Sequence, residues 1–346
     1  MPTEVRTERA GFICALVTIR TLAWMPNDKG RPMLLRDLLT QRYGPAKGLC
    51  SRSIGIYGHS IHLLEVFLGR PATVADLAED TVIAFLRWRE VTPYSKRGVP
   101  RPATIAKDRT QLLSLADYAF RKRLLDEAPV VKPLRVPKRL PRGFTADEIG
   151  RLIRACSRRQ GTIAGVPAKA WWSSLIWAAW CTAARRGELL AVRWADVDAA
   201  RCEIVFRAEG RKGHTRDICR RIDQRLAEQL EQRRGDPGAL VWEWDRRPTS
   251  LYNSMAILCT MAAVPQLRLH AIRKASASYV AAGGGDAVEH LDHSDPAITR
   301  DHYLDDRIVG RRAGVDFLPP LDLEEEAHFI PDPEGPDEKA SECPAA

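Results

Sequence analysis

Two stretches of the chain concentrate groups that could bind and transfer a phosphoryl group. One runs Thr182-Ala-Ala-Arg185-Arg186-Gly-Glu188-Leu and on to Trp194, Asp196 and Asp198. The other holds His270-Ala-Ile-Arg273-Lys274, then Leu291-Asp-His293, then His302-Tyr303. A phosphodiester repels nucleophiles by its own charge, and transfer passes through a five-coordinate phosphorus with more charge on its non-bridging oxygens. Two guanidiniums, Arg185 and Arg273, could clamp those oxygens in bidentate fashion and would stay charged at any working pH. Tyr303 is a candidate nucleophile. A free phenol has a pKa of about 10, so it needs a positive pocket or a nearby base. His270 and His293 could donate to the phosphate or assist the phenolic proton. Taken singly, each group has a commoner explanation: a tyrosine at a helix end packs, a helix histidine is satisfied locally, an arginine beside a glutamate is an ion pair, and short motifs give many false positives. His290, His293, His302 and Glu289 also raise the question of a metal, with His290 and His293 three apart on one helical face. No ligand triad is complete, so neither a metal nor another cofactor is expected.

The elements that would position these groups can be read from pattern. At 346 residues the chain favours two domains, since single cores stop growing at about 250–300 residues. Hydrophobic residues are 45% of the total, too many for global disorder. From Met33 onward the chain reads as helices. Tyr57, Ile61, Leu64 and Leu68 share one helical face, Thr73 to Glu90 is a second helix, and Thr104 to Leu125 is a third carrying Lys107, Arg109, Arg121, Lys122 and Arg123. Pro129, Pro133, Pro137 and Pro141 then recur every fourth residue among Lys132, Arg135, Lys138, Arg139 and Arg142. Such spacing excludes a helix and suits either an extended strap on a phosphate backbone or a solvated spacer. Thr145-Ala-Asp-Glu148 is a capping box opening a new domain, with a helix to about Arg158. Ala168 to Thr182, with four tryptophans, predicts a buried helix, and Arg186 to Val192 a short one. Cys202–Arg207 and Thr215–Ile222 predict two strands around the turn Ala208–His214, and the rest to about Arg307 is mostly helical.

Order and spacing of the two clusters resemble the tyrosine recombinases of the phage-integrase kind. The first cluster is similar to that family's Thr-Gly-Leu-Arg-x-x-Glu-Leu box, and the second to its His-x-x-Arg box, Leu-Gly-His box and tyrosine nucleophile. The motifs agree over about 120 residues, and the wider resemblance spans Met33 to Pro319. It implies a mainly α fold with a small β-hairpin: a helical core-binding domain (33–128), a basic proline-rich linker (129–142) and a mixed α+β catalytic domain (143–318). Residues 1–32 stay unassigned, and 319–346 form an acidic tail. The resemblance implies that Arg185, not Arg186, is catalytic, with Glu188 as its buttress. It also implies that Arg273, His270 and His293 complete the phosphate site, that Tyr303 forms a 3′-phosphotyrosyl bond, and that a lysine of the hairpin turn protonates the leaving 5′-oxygen. Lys212 lies in the predicted turn, with Arg211 as its rival. The expected partner is double-stranded DNA, gripped by the two domains as a C-shaped clamp, with four protomers on two sites. About thirty residues precede the first helix, which leaves no obvious additional arm-binding domain.

Departures from the pattern are Ala183 and Asp292 in place of glycines, and Lys274 where a histidine or arginine is common. If position 292 needs a positive φ, aspartate is tolerable there at more cost than glycine. Composition agrees with a polyanionic partner. The net charge is +9, and residues 321–346 hold nine acids against one base, a net of −8, so the preceding 320 residues carry +17. Eight scattered cysteines without a CxxC motif suggest neither a zinc ribbon nor a redox pair. No signal peptide is convincing and no run approaches the roughly 20 apolar residues of a membrane span, so a reducing cytoplasm is expected, with no membrane and no small-molecule substrate. Three other readings compete: a DNA-binding protein of the same fold with weak catalysis, a related tyrosine topoisomerase, and a metal-dependent nuclease.

Overall fold

The computed structural model describes residues 32–93, 98–211 and 216–310. The chain divides into two compact units, Met1–Lys138 and Arg139–Ala346.

The first unit is helical. A helical run opens it: α1 (Leu35–Asp37), a π-helical stretch (Leu38–Tyr43) and α2 (Gly44–Ala46). Then come α3 (Ser51–Leu68), α4 (Glu79–Val91) and α5 (Pro102–Arg121). The predicted Thr73–Glu90 helix is two pieces. Thr73 and Asp76 form a capping box on a single 3-10 turn (Val74–Leu77), Ala78 is extended at ψ 146°, and α4 starts afresh at Glu79. Ile61, Leu64, Phe85, Leu112 and Leu115 fill the core. Inside it, Asp108 of α5 accepts from Ser60 of α3 at 2.7 Å and from Arg89 of α4 at 3.2 Å. Removing one partner of such a buried charge costs about 3–5 kcal/mol, so the network fixes how the three helices pack. The proline-rich stretch forms neither helix nor strand, and its beginning is not free. Val131 is buried against this core, Arg109 holds its carbonyl, and the Val130 N–H donates to Glu79 at 2.7 Å.

The second unit is helical with two small sheets. Its α6 (Ala146–Cys156) starts at the expected capping box: the Thr145 hydroxyl accepts from the Glu148 N–H at 3.1 Å, and Glu148 returns the bond to the Thr145 N–H at 2.8 Å. A two-residue hairpin, β1 (Thr162–Ile163) and β2 (Val166–Pro167), leads into α7 (Ala168–Thr182). After α8 (Arg186–Leu189) an antiparallel sheet forms from β3 (Val197–Asp198), β4 (Glu203–Phe206) and β5 (Ile218–Arg221), in the order β3-β4-β5. The chain continues through α9 (Gln224–Glu231), α10 (Pro248–Met261), α11 (His270–Ala282), α12 (Ala287–Leu291), α13 (Pro296–His302) and α14 (Asp306–Val309). Trp171 and Trp172 of α7 and Trp242 are fully buried in the core. α11 packs on α7, and its consecutive Ala275, Ser276, Ala277 and Ser278 are all buried. Small side chains there permit close approach, and Gly143 uses it: a Cβ on Gly143 would stand 2.8 Å from the Ala275 nitrogen. The entry to this unit is thereby held against the helix that carries His270 and Arg273.

Candidate active site

Each candidate group is placed by a local break in helix. At the end of α7, Ala183 turns left-handed (φ 49°, ψ 21°), and Arg185, extended at ψ 150°, caps α8. Glu188, nearly inaccessible, accepts from the Arg185 N–H at 2.6 Å and from its Nη1 at 2.9 Å. The Arg186 guanidinium lies 4.9 Å from the Tyr252 ring centroid, and that of Arg268 lies 4.9 Å from the same ring.

Arg273 is only 2% exposed. Its Nη1 donates to the Ala183 carbonyl, and its Nη2 to the Leu291 carbonyl at 2.7 Å and to His293 Nε2 at 3.1 Å. Nε has no partner among the described residues. Burial, and then the charge of Arg185, lowers its pKa, yet a guanidinium stays charged. Because arginine only donates, His293 Nε2 must be the bare nitrogen. The ring proton then sits on Nδ1 and is given to Thr299 Oγ1 at 2.9 Å. A left-handed Asp292 (φ 50°, ψ 54°) ends α12 and turns His293 into this position. The two substitutions of expected glycines, Ala183 and Asp292, are thus both at positive φ.

Tyr303 follows α13 and is nearly buried, at 9% exposure. Its ring centroid lies 4.5 Å from that of His293 and 5.2 Å from that of His270, both edge-on, and 5.4 Å from the Arg273 guanidinium carbon. The main chain there is fixed from below. Ser278 of α11, whose hydroxyl donates to the Lys274 carbonyl at 2.8 Å, lies 3.3 Å from the Tyr303 carbonyl and accepts from the Asp305 N–H at 2.9 Å. The Asp305 carboxylate takes the Gly143 N–H at 2.9 Å and Arg307 Nη2 at 2.5 Å.

The imidazoles are kept neutral. Burial, then the charges of Arg273 and Arg185, pulls His293 down to about 4. Burial, then Lys274, Arg273 and Arg185, pulls His270 to about 4. His270 is an exposed residue, so for it the three cations are the durable part of that shift. Lys274 is itself lowered by burial. His290 stands apart: its Nε2 lies 2.7 Å from the Ser276 hydroxyl, and it too falls to about 4 by burial. The turn at Asp292 removes the shared helical face expected of His290 and His293. Among the described residues no group of three His, Cys, Asp or Glu side chains is placed to hold a metal ion, and no helix is long and apolar enough to cross a membrane.

Five of the six candidates, Arg185, His270, Arg273, His293 and Tyr303, therefore belong to one neighbourhood. Lys212, the sixth, lies outside the described residues, as do the acidic tail and residues 1–31. Its rival Arg211 is described and is 4% exposed, donating to the Arg216 carbonyl and to the Asp292 carboxylate. Sequence reasoning missed Ser278, Thr299, Asp305 and Gly143. Their signals are faint, because each acts by one hydrogen bond or by lacking a side chain.

No family model matches the chain, and no curated protein matches it by sequence. Solved structures do match. The Tn1549 transposon integrase in complex with transposon right end DNA is 13% identical, with 82% of this chain and 97% of that one covered at a TM-score of 0.59. A lambda integrase dimer bound to a COC′ core site is 18% identical, covering 85% and 81% at 0.57. The XerH site-specific recombinase bound to difH substrate, in a pre-cleavage complex, is 17% identical, covering 77% and 80% at 0.54. The chain thus has the fold of the tyrosine recombinases and integrases, mainly α with small antiparallel sheets.

Proposed function

We propose that the chain is a site-specific DNA recombinase that cuts and rejoins strands through a covalent bond to Tyr303. The observation that carries this reading is the setting of the Tyr303 ring, held against two neutral imidazoles and a buried guanidinium whose charge meets that of Arg185. Arg185 and Arg273 bind the non-bridging oxygens of the scissile phosphate and stabilise the charge gained at five-coordinate phosphorus. The Tyr303 oxygen bonds to phosphorus while the bond to the 5′-oxygen breaks. The phenolic proton passes to His270, His293 or water, and the 5′-oxygen takes a proton from the hairpin turn, where Lys212 is the donor. A 3′-phosphotyrosyl bond and a free 5′-hydroxyl result. The phosphoester is conserved in that intermediate, so rejoining needs no ATP, and the side-chain cations take the place of a metal. Double-stranded DNA is the substrate, four protomers assembling on two sites. Three features support this: the basic body, the order of the motifs, and the DNA-bound state of the solved neighbours.

The test is covalent capture. The full chain is incubated with a nicked duplex library of randomised sequence, and SDS-resistant protein–DNA adducts are recovered, sequenced and mapped by mass spectrometry. An adduct on the Tyr303 peptide, absent in Tyr303→Phe while DNA binding persists, is the expected result. An adduct that survives Tyr303→Phe removes Tyr303 from the role.

A further inference from the structure

Threonines inside the longer helices of this chain turn their hydroxyls back on their own helix. Thr110, Thr182 and Thr260 each donate to the carbonyl four residues earlier, at 2.9, 2.6 and 3.2 Å, a common arrangement for helical threonine. Thr299 of α13 is placed differently. It is 2% exposed, and its Oγ1 lies 2.9 Å from His293 Nδ1. Its carbonyl takes the Tyr303 N–H at 3.0 Å and the Leu304 N–H at 3.3 Å. One residue thus meets His293 with its side chain and the Tyr303 main chain with its carbonyl. The start of α13 holds it there: the Asp295 carboxylate accepts from the Ala297 N–H at 2.8 Å, and Pro296 presets the first helical φ.

Burial and the neighbouring guanidiniums keep the His293 ring neutral at ordinary pH. It then carries one proton, whose place is set by the partners of its two nitrogens. Arg273 Nη2, 3.1 Å from Nε2, can only donate. A proton on Nε2 would set two donors face to face beside a buried guanidinium. The Thr299 hydroxyl gives the proton a partner on Nδ1 instead. Both ring nitrogens are then committed, Nδ1 as donor to Thr299 and Nε2 as acceptor from Arg273. With the Ala183 and Leu291 carbonyls, His293 completes a set of three acceptors around the buried cation. Without the Thr299 hydroxyl the Nδ1–H loses its partner. The ring then moves its proton to Nε2 or rotates, and either way Arg273 loses one of the three.

We propose that Thr299 is a positioning residue of the phosphate site: by taking the Nδ1 proton it keeps His293 an acceptor for Arg273, and so fixes the guanidinium that clamps the scissile phosphate. The clamp rests on the strand-transfer reading above, whereas the tautomer does not depend on it. Thr299 acts through His293 and not on the reacting atoms.

The experiment first reads the proton itself. The full chain is made with isotope-labelled histidine, and the His293 nitrogens, identified by their loss in His293→Gln, are observed by heteronuclear NMR at neutral pH. The parent should show a protonated Nδ1 and a bare Nε2, and so should Thr299→Ser, which keeps the hydroxyl. Thr299→Val keeps the shape without the hydroxyl, and Thr299→Ala removes it in a side chain that favours helix. Both should move the proton towards Nε2. The same chains are then compared on the nicked duplex recovered by covalent capture. At saturating duplex, Thr299→Val and Thr299→Ala should form the Tyr303 adduct slower by about tenfold or more, since misplacing a catalytic group by about 1 Å costs on that order or beyond. Their DNA affinity should stay within about threefold of the parent, because the damage falls on the reacting geometry. Thr299→Ser should keep the adduct rate within about threefold. A parent with its proton on Nε2 overturns the proposal, as do hydroxyl-free variants that keep the parent's tautomer or its rate. A parent that shows the expected tautomer but forms no Tyr303 adduct with the randomised nicked library refutes the strand-transfer reading itself.

Discussion

Three histidines near the site, His270, His290 and His293, are each pulled down to about 4 from an ordinary 6.5. The sign of the consequence follows from proton counting. In the unfolded chain these rings take up protons as pH falls through about 6.5, whereas in the folded chain they resist until about 4. Between those values the unfolded state binds more protons, so stability falls as pH drops from 7 towards 4 and the loss levels off below. Differential scanning fluorimetry should show the melting temperature declining steadily across that window. His290→Gln, which removes a ring outside the Tyr303 cluster, should flatten the decline. A melting temperature that holds or rises between pH 7 and 4.5 contradicts the neutral-imidazole assignment. Ala183 gives a second residue-scale test. A left-handed alanine costs about 1–2 kcal/mol. Glycine would relieve that, but would forfeit about 0.8 kcal/mol of methyl burial and about 0.5–1 kcal/mol of unfolded-chain entropy. These terms nearly cancel, so Ala183→Gly should leave urea stability within about 1 kcal/mol of the parent, and a larger change in either direction would mean that one term is misjudged.

At the scale of elements, the sequence was most legible where one signal dominated. The apolar run of α7 and the Thr145–Glu148 capping box appear at the expected residues. Legibility failed where tertiary partners decide. Thr73–Glu90 has one apolar face, but the Thr73–Asp76 box closes a single turn and Glu79 with Asp80 starts another helix. The strands β1, β2 and β3 are two residues each, too short for a period-two pattern to register. Arg211 read as a rival proton donor because its burial depends on Asp292, 81 positions away. Nor did pattern show that Arg186 and Arg268, from α8 and the entry to α11, both lie over the ring of Tyr252 on α10. Neither guanidinium forms an ion pair among the described residues. On the strand-transfer reading proposed above, cations held on an aromatic ring would be preorganised for phosphate contacts. Arg268→Ala should therefore weaken DNA binding at all sequences alike and reduce the slope of log affinity against log salt by about one. An unchanged slope removes Arg268 from the DNA contact.

At the scale of the whole molecule, charge decides between two ways of handling a phosphate. A metal-dependent nuclease recruits divalent cations through carboxylates and histidines and loses activity when they are chelated. This chain places permanent charge at the site instead. Arg273 is buried with two main-chain carbonyls as acceptors, Arg185 is braced by Glu188, and the nearby imidazoles stay neutral, so the fixed charge there is that of the guanidiniums. Guanidiniums cannot be removed by a chelator or neutralised within a workable pH range. If the proposed strand transfer holds, the phosphoester passes from DNA to tyrosine with no net bond lost, and formation of the Tyr303 adduct should proceed at the same rate in excess EDTA as in magnesium, and without ATP. Magnesium should act only as a salt, weakening binding as the added ions screen a body that carries +17 over its first 320 residues. Quenched-flow gels of adduct against time, with EDTA or magnesium at matched ionic strength, give the comparison. Loss of adduct in EDTA with recovery on adding magnesium would show that the arginine pair does not suffice, and the chemistry would have to be reassigned to a bound metal.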